Sequence, residues 1–303
     1  MGRETLNPVV RILRRVMVRD GAQRVADRPN PYGVHVLRDL PYRADGRPEH
    51  LLDVYAPVTG VVPLPVIVEL HGGGYICCNK EFNAQHGQYL ASRGFCVVNM
   101  NYTLAPEGGL GEILNELVDV LAWVRNHSTE YGFDTSRVFL TGDSAGGHVV
   151  LLSAAMFTTG RAADFFRVRR PPLKVLGYAA SCPEGSFEWR LLPHSLPVGM
   201  NFLMLHKYTL DKEYARRSSY EDFMTRDYPR VWFCTSPTDT LLYNHTRQMH
   251  EFMLQKGIDH EYREYLSQTG KLEHVFNVLQ LDDPESQRAN EDMLAFFRGK
   301  MRT

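Results

Sequence analysis

Short apolar runs and longer stretches of helical periodicity alternate along most of this chain. Val66–Leu70, Phe95–Met100, Arg137–Thr141, Leu173–Ala180, Val231–Thr235 and His260–Leu266 are brief and rich in β-branched or aromatic groups, the pattern of strands. Between them Phe82–Ser92, Leu110–His127, Ser144–Phe157, Leu242–Lys256 and Ser286–Lys300 place apolar groups at helical spacing. Gly94 stands where the first of these helices would be capped. His35–Tyr42 and His50–Tyr55, parted by the turn Ala44-Asp45-Gly46-Arg47-Pro48, predict two more strands. Apolar strands alternating with helices imply an α/β fold, a mostly parallel sheet covered on both faces.

Two regions break that rhythm. Val9, Val10, Ile12, Leu13, Val16 and Met17 recur at helical spacing ahead of the first strand, predicting an amphipathic helix docked on the body. Residues 181–225 carry Pro183, Trp189, Leu191, Leu192, Pro193, Pro197, Met200, Phe202, Leu203, Met204, Tyr208, Tyr220, Phe223 and Met224. That stretch is expected to be an insertion over the C-terminal edge of the sheet. With residues 1–28 it would form a small cap on a single domain spanning 1–303.

Composition narrows the function classes. Lys and Arg total 34 against 35 Asp and Glu, so no positive field draws the chain to nucleic acid. With 44% hydrophobic and 23% charged residues, wholesale disorder is excluded. Five scattered cysteines, Cys77, Cys78, Cys96, Cys182 and Cys234, make neither a zinc pair nor a disulfide framework, which favours a reducing, cytoplasmic setting. No apolar run approaches the roughly 20 residues of a spanning helix. Arg14 and Arg15 interrupt what would be the core of a signal peptide, and no stable membrane association is expected. There is no H-E-x-x-H and no Cys/His cluster, so no metal is expected. A homo-oligomer is left open.

The candidate chemistry begins at Gly142-Asp143-Ser144-Ala145-Gly146, a G-x-S-x-G between a strand and a helix. A tight strand-to-helix turn would present Ser144 Oγ at the sheet edge and aim the Ala145 N–H at the same point. His71-Gly72-Gly73-Gly74-Tyr75 follows the strand Val66–Leu70. Consecutive glycines free backbone N–H groups to face a site, and Gly73 and Gly74 are the expected oxyanion donors. His71 is expected to hold the loop rather than act as a base, and His148, a turn beyond Ser144, to be structural.

His71–Tyr75, Tyr102-Thr103-Leu104-Ala105-Pro106-Glu107 and Gly142–Gly147 together resemble the hormone-sensitive-lipase-type branch of the α/β-hydrolase family, in order and spacing over roughly residues 30 to 300. That family commonly has arginine where this chain has Thr103. The resemblance implies an esterase fold with a cap, a serine nucleophile and no cofactor. The order serine, acid, histidine then selects Asp239, in the loop after Val231–Thr235, over Asp227 before that strand and over Asp282 and Asp283 after the histidine. His274, in the loop after His260–Leu266, is the expected general base. The expected activity is hydrolysis of small or short-acyl carboxylic esters through Ser144, His274 and Asp239. An amidase or formamidase on the same residues, and a ligand-binding protein without turnover, are the alternatives.

Overall fold

The computed structural model describes residues 8–60, 62–185 and 212–302. Its eight strands are β1 (His35–Pro41), β2 (Leu51–Ala56), β3 (Leu64–Leu70), β4 (Cys96–Met100), β5 (Phe133–Asp143), β6 (Val175–Ser181), β7 (Val231–Thr235) and β8 (His260–Glu264). They form one sheet in the order β1-β2-β4-β3-β5-β6-β7-β8. β1 and β2 are antiparallel to each other, and β2 is antiparallel to β4. From β4 through β8 every pairing is parallel. All parallel strands therefore end on one edge, where loops of an α/β sheet form sites.

The pleat divides the apolar residues of β3 between two cores. Val66, Val68 and Leu70 face helices α3 (Leu110–Asn126) and α4 (Ser144–Thr159), while Ile67 faces α2 (Ala84–Ser92) and the C-terminal helix. Helix α4 is buried from Ser144 to Met156, as a helix apolar on all sides must be. Helix α5 (Tyr243–Lys256) adds Met249 and Met253 to the first core. The last helix, α6 (Pro284–Lys300), starts two residues before its apolar periodicity. Pro284 takes its first turn and the Asp283 carboxylate accepts from the Glu285 N–H.

The amphipathic reading of the N-terminal segment is corrected in its details. Helix α1 (Pro8–Asp27) forms, and Leu13 and Met17 pack against the body. Ile12 and Val16, in contrast, are 61% and 57% exposed. At about 100° per residue Val16 lies about 60° and Ile12 about 100° from Leu13 on the side away from Met17, so these two flank the docked stripe rather than join it. Of the expected insertion 181–225, residues 186–211, with Trp189, Leu191, Leu192, Met200, Phe202, Leu203, Met204 and Tyr208, lie outside the described residues. Its described end forms two short helices, Lys212–Ser218 and Tyr220–Phe223, with Phe223 and Met224 buried. Among the described residues no helix is long and apolar enough to cross a membrane.

Candidate active site

The turn from β5 into α4 is as tight as its glycines suggest. Ser144 has φ +50°, a conformation that residues other than glycine populate sparsely and at an energetic cost. A Cβ on Gly146 would lie 2.2 Å from the Leu70 carbonyl oxygen and 2.5 Å from that of His71. One on Gly142 would lie 2.6 Å from the Gly146 carbonyl carbon. The sequence folds this way because only hydrogen fits at either position, and Ser144 is thereby set at the end of β5. Ala145 follows it in the first turn of α4, where backbone N–H groups have no partner within the helix.

The glycine loop after β3 sits against this elbow. Gly73, Gly74 and Tyr75 all have positive φ, at +102°, +58° and +65°. The Ile76 and Cys77 N–H groups both donate to Gly73 O at 3.1 Å, closing the loop. His71 donates from Nδ1 to Gly72 O at 2.8 Å, and its ring stacks on Tyr102 at 4.3 Å. The Tyr102 hydroxyl in turn donates to His71 O at 2.7 Å. Burial pulls His71 down to about 4, so it is neutral at ordinary pH and holds the loop. His148 is likewise pulled down to about 4 by burial and is held between the Tyr75 hydroxyl at 2.6 Å and Ser218 O at 2.7 Å.

Asp239 and His274 meet as the spacing of their loops suggests. His274 Nδ1 lies 2.9 Å from Asp239 Oδ2. The other carboxylate oxygen accepts from the Leu241 and Leu242 N–H groups at 2.8 and 3.1 Å. Burial pushes the Asp239 carboxyl up, but the His274 bond and these N–H donors outweigh it and hold it below its usual range. His274 Nε2 is buried with no hydrogen-bond partner among the described residues. The rival Asp227 is exposed, before β7, and accepts from Thr225 Oγ1.

Ser144, His274, Gly73 and Gly74 line one cavity of about 450 Å³. Its remaining wall is largely apolar, with Leu13 and Met17 contributed by α1, Leu241 and Val275 by the loops after β7 and β8, and Leu279 by the short helix Phe276–Leu279. Among the described residues, two sets of side chains could hold a cation by proximity. One is the Asp239–His274 pair with Cys182. The other is His50, Glu112 and Glu116, already served by the Arg43 guanidinium, 3.0 Å from Glu112 and 3.1 Å from His50.

Sequence reasoning missed the polar framework behind the cavity. Asp143 accepts from the Gly72 N–H at 3.1 Å and from the Asn83 amide at 2.7 Å. Asn83 also reaches Glu69 at 3.1 Å, and Glu69 pairs with His86 at 2.5 Å. Beyond His86 the chain of bonds continues through Asn290 to Asn277, in the short helix just after His274. Burial pushes Asp143 up to about 6. The Glu69 carboxylate raises His86 despite its burial. The one sequence signal was a string of polar residues inside apolar elements, such as Glu69 in β3. Arg14 was missed too. It donates to Ile76 O at 2.8 Å and Ala105 O at 2.5 Å, and pairs with Glu107 at 2.8 Å.

Comparison with known proteins agrees with this architecture. Residues 52–166 match the BD-FAE family. A probable isoprenylcysteine alpha-carbonyl methylesterase of Arabidopsis thaliana is 31% identical over 118 residues, 39% of this chain and 24% of that protein. A probable carboxylic ester hydrolase of Mycobacterium tuberculosis is 34% identical over 121 residues, 38% of this chain and 27% of that protein. These matches span about a quarter of the curated relatives' length. Among solved structures, the inhibited esterase B from Lactobacillus rhamnosis superposes with a TM-score of 0.87 at 25% identity, over 97% of this chain and 96% of that one.

Proposed function

We propose that this chain, an α/β-hydrolase by its fold and its BD-FAE segment, is a serine carboxylesterase acting on small or short-acyl esters. The observation that carries the reading is the Nε2 of His274, unpartnered among the described residues and oriented by Asp239, in the cavity that Ser144 also lines. In the proposed reaction His274 takes the Ser144 proton and Ser144 Oγ attacks the ester carbonyl. The N–H groups of Gly73, Gly74 and Ala145 hold the negative oxygen. The alcohol leaves with the proton from His274, and a water activated by the same imidazole releases the acid. Asp239 keeps Nδ1 protonated, leaving Nε2 as the base. Residues 1–28 and 181–225 are the proposed cap, which α1 supports by placing Leu13 and Met17 on the cavity wall.

The limited size of the cavity supports the short-acyl reading. A 450 Å³ cavity lies toward the small end of ligand pockets. Each methylene buried in it contributes about 0.8 kcal/mol until the wall is reached. A p-nitrophenyl ester series tests this. kcat/KM is expected to rise over the first carbons, peak between roughly two and six, and fall beyond. Ser144→Ala should lose activity by about 10⁶ while its melting curve persists. Full activity in that variant would overturn the assignment. A matched anilide cleaved faster than its ester would make the protein an amidase.

A further inference from the structure

Two cysteines that ester hydrolysis does not use line the same cavity. Cys77 and Cys78 are consecutive, yet both contribute to its wall. Neighbours on extended chain point to opposite sides. Here Cys78 has φ +68°, a conformation that favours glycine. It brings the two Sγ atoms to 3.9 Å. The Cys77 thiol also donates to Gly73 O at 3.1 Å. All five cysteines are free, but Cys96, Cys182 and Cys234 are fully buried and none of them lines the cavity.

The pair has the ingredients of a dithiol switch. The contact with Cys78, with Arg14 nearby, holds the Cys77 thiol below its ordinary value against the effect of burial, while the same contact and burial push the Cys78 thiol well above its own. Burial and its neighbours raise the thiols of Cys182 and Cys234. A thiol with more thiolate character, on an open cavity, is the one that oxidants reach first.

We propose that Cys77 and Cys78 are a redox modification site, at which a hydroperoxide entering the cavity converts the pair into a vicinal disulfide that closes the site reversibly. The Cys77 thiolate attacks the peroxide oxygen, breaking the O–O bond and forming a sulfenic acid. The peroxide's other oxygen leaves with a proton as water or an alcohol. The Cys78 sulfur then attacks the Cys77 sulfur, expelling the sulfenic oxygen as water and forming the S–S bond. Two thiols lose two electrons and two protons, and one peroxide takes them up. Adjacent Cα atoms, about 3.8 Å apart, are closer than the usual disulfide range, so such a bond is readily reduced again.

Closure would disturb the oxyanion loop directly. A Cβ on Gly73 would lie 2.2 Å from the Cys77 carbonyl oxygen, so the two backbones are in close contact. Drawing the sulfurs from 3.9 Å to a bond of about 2.05 Å shifts Cys77 against the glycine that carries a proposed oxyanion donor.

The experiment treats the full chain with a small excess of hydrogen peroxide, then alkylates, digests and weighs the peptides. The expected product is a peptide containing Cys77 and Cys78 that has lost two hydrogens. Hydrolysis of p-nitrophenyl acetate falls about tenfold or more and recovers with dithiothreitol. Cys77→Ser and Cys78→Ser, each scored against its own untreated activity, should both lose the linked peptide; Cys77→Ser should resist the peroxide, whereas Cys78→Ser should still gain oxygen at Cys77. The inference is overturned if native protein gives no linked peptide. It also fails if in native protein one cysteine gains oxygens irreversibly, or if Cys77→Ser is inactivated like the native chain. The activity readout rests on the esterase reading, but the peptide mass does not. A linked peptide without ester turnover would uphold the switch and sink the esterase.

Discussion

At Asp239 one carboxylate serves two purposes. Oδ2 holds His274 Nδ1 at 2.9 Å and Oδ1 accepts two backbone N–H groups. Asp239→Asn keeps the shape but supplies an N–H where an acceptor is required, favouring the wrong imidazole tautomer. A kcat loss of about 10⁴ is expected. Asp227→Asn, on an exposed loop, should change stability by less than about 0.5 kcal/mol and leave kcat near wild type. Steady-state kinetics of the two variants decide between the acids, and the reverse order would make Asp227 the partner. Gly146 presents a different constraint. An added methyl meets backbone oxygens at 2.2 and 2.5 Å, and neither can rotate away. Gly146→Ala is expected to cost about 3–5 kcal/mol, read as a lower urea midpoint. A midpoint within error of wild type would show that the elbow is looser than drawn. The glycines and Ser144 were legible because their motif is local. Asp143 was not, because its partners Gly72 and Asn83 come from distant parts of the chain.

Among elements, α1 departs most from its sequence pattern. Its periodicity predicted a helix, and a helix forms. The docked face is set by Leu13 and Met17 with Arg14 between them, while Ile12 and Val16 stay exposed. Arg14 anchors the helix on carbonyls of the segments after the glycine loop and near Glu107. Its ion pair is half-exposed on the Glu107 side, so it contributes under about 1 kcal/mol. The bonds to Ile76 O and Ala105 O contribute about 1 kcal/mol each. Arg14→Ala should therefore lower Tm by a few degrees and raise KM for the preferred ester, with kcat little changed. A fall in kcat at constant KM would mean that α1 acts on the reacting groups rather than on the cavity wall.

For the molecule as a whole, pH exposes the cost of polar groups beneath the site. Burial pushes Glu184 up to about 7 from an ordinary value of 4.5. Between those values the folded state holds this proton and the unfolded state does not. Stability from this group is therefore fullest below pH 4.5 and is lost as pH rises through about 7. A shift of that size corresponds to about 3 kcal/mol at most. Asp143, pushed up to about 6, adds a loss of the same sign. Glu184→Gln removes the first contribution only. Urea unfolding at pH 5 and pH 8 should show the variant gaining on wild type at the higher pH. A variant that gains at pH 5 instead would reverse the sign and refute the burial argument.

Sequence alone determined the layered α/β architecture, because hydrophobic period and turn residues act over a few positions and report which segments are strands and helices. It also singled out Ser144, Asp239 and His274 as candidates, through a local motif and the order of loops along the chain. Strand order, the antiparallel edge of β1 and β2, and the meeting of the loops after β3, β5, β7 and β8 came only with the folded sheet. The same holds for the Asp143–Asn83–Glu69–His86 framework, the Arg14 anchor and the 3.9 Å approach of Cys77 and Cys78. The physical reason is range. Periodicity and turn chemistry are properties of neighbouring residues, whereas a buried hydrogen bond or a cavity wall depends on which distant backbones the core brings together.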